Sequence, residues 1–123
     1  KLTGIEHLIN QSLIMFRKGN WHAVEQLSNK ILAIDPKNAL AYVNRAGART
    51  EMGLMYNALD DIKIALKLSP NLGIAHNNKA YALERLGKMP RAAKSYQRAC
   101  DLGVQQSCQD YRRISLRISS RQN

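Results

Sequence analysis

The chain has 123 residues, of which 45% are hydrophobic and 23% are charged, a composition typical of one globular domain. Lys and Arg number 19 and Asp and Glu number 9, so the net charge is +10, which favours acidic partners. No apolar run reaches the roughly 18–20 residues of a membrane-spanning helix. The first residues lead into an amphipathic segment rather than a signal peptide, and the missing initial Met indicates a fragment or a processed chain.

Similar residues recur along the chain at a spacing of 34. The columns include glycines, asparagines and a pair of prolines: Gly19, Gly53 and Gly87; Asn10, Asn44 and Asn78; Pro36 and Pro70. Several columns in one register indicate an internal repeat rather than chance. The sequence therefore predicts three structural repeats, at about residues 5–38, 39–72 and 73–104.

Each repeat is predicted to contain two helices. In the second repeat, apolar residues recur every three or four positions, which indicates amphipathic helices over Ala39–Met52 and Met55–Leu68. Gly53 between them suits a left-handed turn. The third repeat follows the same pattern from Gly73 to Leu102, whereas the first, from Ile5 to Asp35, is less regular.

One more helix is predicted after the third repeat, from Gln105 to Ile118. The residues expected on its inner side are Cys108, Tyr111, Ile114 or Ser115, and Ile118. A terminal helix of this kind covers the apolar face of the last repeat, which would otherwise face water. The predicted architecture is therefore all-α, three helix pairs and a capping helix over residues 105–119, in a single domain 1–123.

Small residues and prolines occupy fixed places in the repeats. The second repeat has Ala46, Ala58, Ala65 and Pro70, and the third has Ala80, Ala92 and Ala99 with Val104 in place of the proline. The first repeat, with Ser12, Val24, Ile31 and Pro36, fits more loosely. This pattern resembles the tetratricopeptide repeat family, most closely in the second repeat. The resemblance implies a right-handed α-α superhelix in which the first helix of each pair lines a concave groove that binds peptides or proteins.

The family geometry assigns ten candidate residues to this groove: Asn10, Asn44, Asn78, Asn77, Ile9, Leu13, Phe16, Val43, Tyr81 and Arg85. Side-chain amides both donate and accept hydrogen bonds, so the asparagine column could hold the backbone of an extended peptide. The alternative is that these asparagines serve packing or capping. The apolar members would form pockets for a ligand's side chains, or would instead be buried against neighbouring helices.

One subgroup of the family binds the C-terminal carboxylate of heat-shock chaperones through Lys, Arg and Asn. The matching positions here are Ile9, Leu13, Asn44, Ile74 and Asn78, and only Asn44 fits that pattern. A carboxylate needs cations to bind it. The resemblance therefore predicts that this chain does not bind that ligand.

Most of the excess positive charge lies in the C-terminal half, on Lys88, Arg91, Lys94, Arg98, Arg112, Arg113, Arg117 and Arg121. This distribution is typical of a solvated helix face, or of a surface that attracts an acidic protein. Nucleic acid or anionic lipid is disfavoured, because aromatic residues make up only 6% of the chain and no nucleic-acid motif occurs.

Two cysteines, Cys100 and Cys108, flank the turn before the last helix. A helix end, a short turn and a helix start can bring two Cα atoms within disulfide reach. The stretch also resembles the cysteine-rich Sel1-like repeats of exported bacterial proteins, which implies a bridge and an oxidising compartment. The alternatives are two buried thiols and a cytoplasmic location. Zinc is disfavoured for lack of two further ligands.

No catalytic, nucleotide-binding or metal-binding motif occurs in the sequence. The adjacent Asp60 and Asp61 are expected in a solvated or helix-start role. The sequence therefore predicts no enzyme, cofactor or metal site, and favours a scaffold that binds a peptide or partner helix in its groove. The alternatives are a self-assembly module that forms a homo-oligomer, and a basic adaptor for acidic partners.

Overall fold

The computed structural model describes residues 2–122, which form seven helices and contain no β-strand. The helices are α1 (Leu2–Arg17), α2 (Trp21–Ile34), α3 (Ala39–Glu51), α4 (Met55–Leu68), α5 (Gly73–Arg85), α6 (Met89–Asp101) and α7 (Gln105–Gln122). The predicted all-α fold is confirmed. The two ends of the predicted domain, residues 1 and 123, lie outside the described residues.

The helices pack as three successive pairs, α1 with α2, α3 with α4 and α5 with α6, and α7 packs against α6. Each pair is joined by a turn whose glycine has a positive φ: 72° at Gly19, 83° at Gly53 and 78° at Gly87. A residue with a Cβ is strained in this conformation, so the glycine column marks the point where each pair reverses direction.

Two asparagines in the turns begin the following helices. The side-chain oxygen of Asn20 accepts a hydrogen bond from the amide of Ala23, and that of Asn38 accepts one from Ala41. These bonds satisfy amides that have no partner inside the helix. At the other end of the chain, α7 continues to Gln122, four residues beyond the predicted Ile118, while its inner residue Ile114 is fully buried as predicted.

Small residues form the contacts within and between the pairs. The alanines of the second and third repeats, Ala46, Ala58, Ala65, Ala80, Ala92 and Ala99, are all fully buried. In the first repeat Val24, Ile31 and Ser12 occupy the same places and are also buried. In the second and third repeats the short side chains let the helix axes approach closely, whereas Val24 and Ile31 fill the equivalent places of the first repeat with larger side chains.

A buried ion cluster joins α2, α3 and α4. Asp61, only 2% exposed, accepts hydrogen bonds from Arg45 Nε at 3.0 Å and Nη2 at 2.7 Å, and from Arg49 Nη1 at 3.0 Å. Arg49 Nε also donates to Glu25 at 2.9 Å. These bonds to Asp61 raise the pKa of Arg45. The prediction of a solvated or helix-start role was wrong for Asp61, although Asp60 is exposed.

None of the helices within residues 2–122 combines the length and the apolar character that crossing a bilayer requires. The same part of the chain brings no three His, Cys, Asp or Glu residues together in a way that could hold a metal ion.

Candidate peptide-binding groove

The first helices of the three pairs, α1, α3 and α5, form one wall of the molecule. Five large apolar side chains described on these helices are open to solvent: Leu13 is 44% exposed, Ile14 45%, Phe16 37%, Leu40 46% and Ile74 41%. Ile9 on α1 is half-buried. Large apolar residues that stay exposed in one region commonly mark an interaction surface, and here they include Leu13 and Phe16 of the predicted site.

Gly47, in the middle of α3, forms the floor of this wall. A Cβ at this position would lie 3.2 Å from Cε2 of Phe16 and 3.5 Å from the side-chain nitrogen of Asn78. The absence of a side chain therefore lets the ring of Phe16 cross from α1 onto α3. Phe16 also packs edge-on against Trp21, with ring centroids 5.1 Å apart, so the ring is held from two sides.

The asparagine column is split between two roles. The Asn78 side-chain nitrogen donates a hydrogen bond to the backbone carbonyl of Val43 at 3.2 Å, which ties α5 to α3. Asn10 is exposed and Asn44 is half-buried, and the side chains of both form no hydrogen bond with other residues of the described chain. Two amides of the column are thus open to a ligand, and Asn78 retains its acceptor oxygen.

Tyr81, Arg85 and Glu51 form a small polar cluster between α3 and α5. The Tyr81 hydroxyl donates to Glu51 Oε2 at 3.0 Å, and Arg85 Nη1 donates to the Tyr81 oxygen at 3.0 Å. Arg85 Nη1 also lies 3.6 Å from Glu51 Oε1, and its guanidinium lies over the Tyr81 ring. An anionic ligand would therefore compete with Glu51 for Arg85.

Val43 and Asn77 both contact other helices of the chain. Val43 is 2% exposed and packs against Ala65 and Ala75 in the core, because α4 and α5 close over that face of α3. The oxygen of the Asn77 amide accepts a hydrogen bond from the Ser107 hydroxyl at 2.7 Å. Val43 therefore has the second of its two predicted roles, burial against neighbouring helices, and Asn77 contributes to the docking of α7.

Glu84 of α5 adds hydrogen bonds to the packing of the capping helix α7 on α6. Both oxygens of Glu84 accept hydrogen bonds from Arg113, at 2.7 and 3.0 Å, and Oε1 also accepts one from the Tyr96 hydroxyl at 2.8 Å. Hydrogen bonds from Arg113, and secondarily from Tyr96, lower the pKa of Glu84, although its partial burial acts in the opposite direction. Burial and then the bond to Glu84 raise the pKa of Tyr96.

We expect acid to loosen α7. The Glu84 carboxylate has a lower pKa in the folded chain than its ordinary value of 4.5, so its stabilising effect is present above that value. The effect is lost as the pH falls through the lowered pKa. The protection of α7 amides against hydrogen exchange, measured relative to the intrinsic rate at each pH, should fall below about pH 4, and Glu84→Gln should remove most of this pH dependence. An unchanged acid response in Glu84→Gln would contradict the assignment.

The sequence prediction did not single out two residues of α7, Arg113 and Leu116. Arg113 was assigned only to the general basic surface, but it forms the bidentate pair with Glu84. Leu116, one turn further along, is the most exposed of the large apolar residues. Residues two apart on a helix lie on different faces, so Leu116 cannot share the inner face with the buried Ile114. This spacing could have predicted from the sequence that Leu116 is exposed.

Cys100 at the end of α6 and Cys108 in the first turn of α7 lie at disulfide distance, with Cα atoms 4.7 Å apart. This placement is the one expected from a helix end, a short turn and a helix start. The oxidation state of the pair in solution, and with it the compartment, stays a prediction.

The chain is similar to curated proteins that carry the tetratricopeptide repeat name. It is 32% identical over 88 residues to mouse tetratricopeptide repeat protein 28, which covers 72% of this chain and 4% of that protein. It is 28% identical over 83 residues to small glutamine-rich tetratricopeptide repeat-containing protein 2 of Mycosarcoma maydis, covering 68% and 24%. The chain thus spans less than a quarter of either relative. No family model matches it.

Solved structures with the same architecture include the first tetratricopeptide repeat domain of Spaghetti (RPAP3) bound to an HSP90 peptide. The TM-score is 0.82 at 23% identity, over 94% of this chain and 93% of that one. The fold is the tetratricopeptide repeat fold. PcrH in complex with the chaperone-binding region of PopD is also similar, with a TM-score of 0.84 at 15% identity over 95% of each chain.

Proposed function

We propose that this chain is a protein-interaction module of the tetratricopeptide repeat family that holds a segment of a partner protein along α1, α3 and α5. The observation that carries the proposal is that exposed apolar side chains, Leu13, Phe16, Leu40 and Ile74, lie on the same helices as the open amides of Asn10 and Asn44. A folded domain gains stability by burying such side chains. A partner that covers them would supply the burial that the chain itself does not.

Two structural neighbours support a peptide or protein segment as the kind of ligand. One is described as bound to an HSP90 peptide and another as bound to the chaperone-binding region of PopD. This chain carries Ile9, Leu13 and Ile74 where a carboxylate-binding member would carry polar or cationic residues. We therefore propose that its ligand is anchored by apolar side chains rather than by a terminal carboxylate.

The open amides would fix the backbone of the bound segment. Asn10 and Asn44 have unused donors and acceptors, and they flank the apolar side chains on α1 and α3. An amide that bonds to the backbone of a peptide fixes its position without selecting its sequence. Selectivity would then come from the shape of the apolar surface around Phe16. The ring of Phe16 takes its position because Gly47 has no side chain there.

The proposal is tested by removing the apolar surface without touching the core. Leu13→Ser combined with Leu40→Ser should weaken capture of partner proteins by at least about tenfold, because burying one Leu side chain contributes roughly 1.5–3 kcal/mol. The matched control is Ile64→Ser with Leu68→Ser, which changes equally exposed apolar residues of α4. Binding should survive in the control, and helical content should be the same in both variants.

Loss of capture in both variants, or in neither, would contradict the proposal. Sedimentation of the same variants at several concentrations tests the alternative of self-assembly. If the wild-type chain associates with itself and Leu13→Ser with Leu40→Ser abolishes the association, the occupant of the surface is a second copy of this chain rather than another protein.

A further inference from the structure

A cavity of about 420 Å³ opens between α4, α5 and α6, away from the α1, α3 and α5 wall. Its apolar lining consists of Leu59, Ile62 and Leu66, and its charged lining of Lys63, Lys79, Arg91 and Asp60. Small-molecule sites commonly measure roughly 300–1,000 Å³ and combine an apolar floor with a few polar groups. The cavity has this size, is open to solvent on one side, and has three apolar and four charged side chains in its lining.

The repeat places an equivalent cleft one unit earlier, between α2, α3 and α4. That cleft contains the side chains of Arg45 and Arg49. Their charges are neutralised by Asp61 and Glu25, and Arg45 Nη1 also donates to Asn29 at 2.8 Å. The first cleft is therefore occupied and neutralised by the chain's own side chains.

The residues at the five corresponding positions of the second cleft differ in charge and polarity from those of the first. At a spacing of 34 residues, Arg45 corresponds to Lys79, Arg49 to Leu83, Asp61 to Ser95, Glu25 to Leu59 and Asn29 to Lys63. Both acids have been lost, and a neutral amide has become a lysine. The second arginine has become Leu83, which is buried in the core and carries no charge into the cleft.

This exchange leaves positive charge unpaired. Lys63, Lys79 and Arg91 form no ion pair with any acid of residues 2–122. Asp60 is the one acid in the lining, against three cations. An apolar cavity with a net positive rim attracts an anion whose other end is apolar.

We propose that the cavity between α4, α5 and α6 binds an organic carboxylate with an apolar body, such as a medium-chain fatty acid. The chain of the ligand packs on Leu59, Ile62 and Leu66, where it is removed from water. Its carboxylate pairs with Lys63, Lys79 and Arg91, in the role that Asp61 and Glu25 have in the first cleft. The site is separate from the groove and does not depend on the proposed function.

Titration with octanoate, followed by two-dimensional NMR of the labelled protein, tests the proposal. Octanoate should shift signals of α4, α5 and α6 around the cavity and leave those of α1 unchanged. Octanol lacks the charge and inorganic phosphate lacks the apolar chain, so each should bind at least about tenfold more weakly than octanoate. Equal binding of octanoate and either of these probes would overturn the proposal, as would shifts centred on α1.

Charge variants separate the site from a general attraction to a basic protein. Lys63→Gln with Lys79→Gln should weaken octanoate binding by about tenfold. Lys37→Gln with Arg121→Gln removes the same charge at exposed positions outside the cavity and should leave binding unchanged. Equal weakening by the two double variants would show that only net charge matters, and would overturn the proposal.

Ser95→Asp provides the complementary test, because it restores the acid that the first cleft has at Asp61. The new carboxylate would compete for Lys79 and should weaken octanoate binding by up to about tenfold. Ser95→Asn, similar in size and uncharged, is the control and should retain it. Thermal melts identify any loss of folding, in which case the lysine variants decide the outcome. Unchanged octanoate binding in a folded Ser95→Asp protein would contradict the assignment.

Discussion

Replacing Asp61 with alanine is expected to lower the free energy of unfolding by about 3 kcal/mol, near the lower end of the range for breaking a buried ion pair. The substitution leaves Arg45 and Arg49 facing an empty position between α2, α3 and α4, with only Glu25 to neutralise them. We use the lower end because the two arginine side chains are 17% and 21% exposed, so water can reach part of each guanidinium.

Thermal unfolding monitored by circular dichroism checks this expectation, and the midpoint should fall by about 10 °C or more. Asp60→Ala is the matched control, since Asp60 is adjacent and exposed. Its effect should stay within about 0.5 kcal/mol. Asp61→Asn keeps the shape of the side chain and tests the charge alone. If Asp61→Ala unfolds at the same temperature as Asp60→Ala, the ion cluster does not hold the three helices together.

The different environments of Asp60 and Asp61 could be predicted from the sequence only in part. Adjacent residues on a helix point about 100° apart, so the sequence establishes that the two aspartates face different directions. It does not establish which one meets a partner, because that depends on arginines of α3 that are 12 and 16 residues away. Long, flexible side chains have many rotamers, and only the packed structure selects one of them.

The repeat itself could be predicted because its requirements are local. Gly53 and Gly87 mark turns that need a positive φ, and Ala46 and Ala80 mark contacts too close for larger side chains. The glycine returns in all three repeats and the alanines in the second and third, so they produce the periodic columns that predict three helix pairs. Fold class depends on such recurring features and was predictable throughout.

The groove could be predicted only as a surface. The column positions assign Asn10, Leu13 and Phe16 to α1, where the structure leaves them exposed. They cannot say that Asn78 bonds to the carbonyl of Val43, because the third repeat meets different neighbours from the first. The repeats have different neighbours along the chain, so residues at the same place in each repeat have different partners.

The largest effect on folding is expected from Ala65→Glu. Ala65 is fully buried between α4, α3 and α5, where it packs with Val43 and Ala75. A glutamate there overfills a close helix contact, at a cost of about 1–3 kcal/mol. It also places a charge without a partner in the core, at a further cost of several kcal/mol. Together these approach the entire stability of a small domain, about 5–15 kcal/mol.

We therefore expect Ala65→Glu to be largely unfolded at 25 °C, as judged by circular dichroism and by collapse of the NMR spectrum. Ala65→Gln has nearly the same volume without the charge and should be destabilised but more folded, which separates the two causes. Ala33→Glu makes the same exchange at an exposed position of α2 and should melt near the wild-type temperature. A folded, helical Ala65→Glu protein would contradict the position of α4 between α3 and α5, on which the register of the three repeats depends.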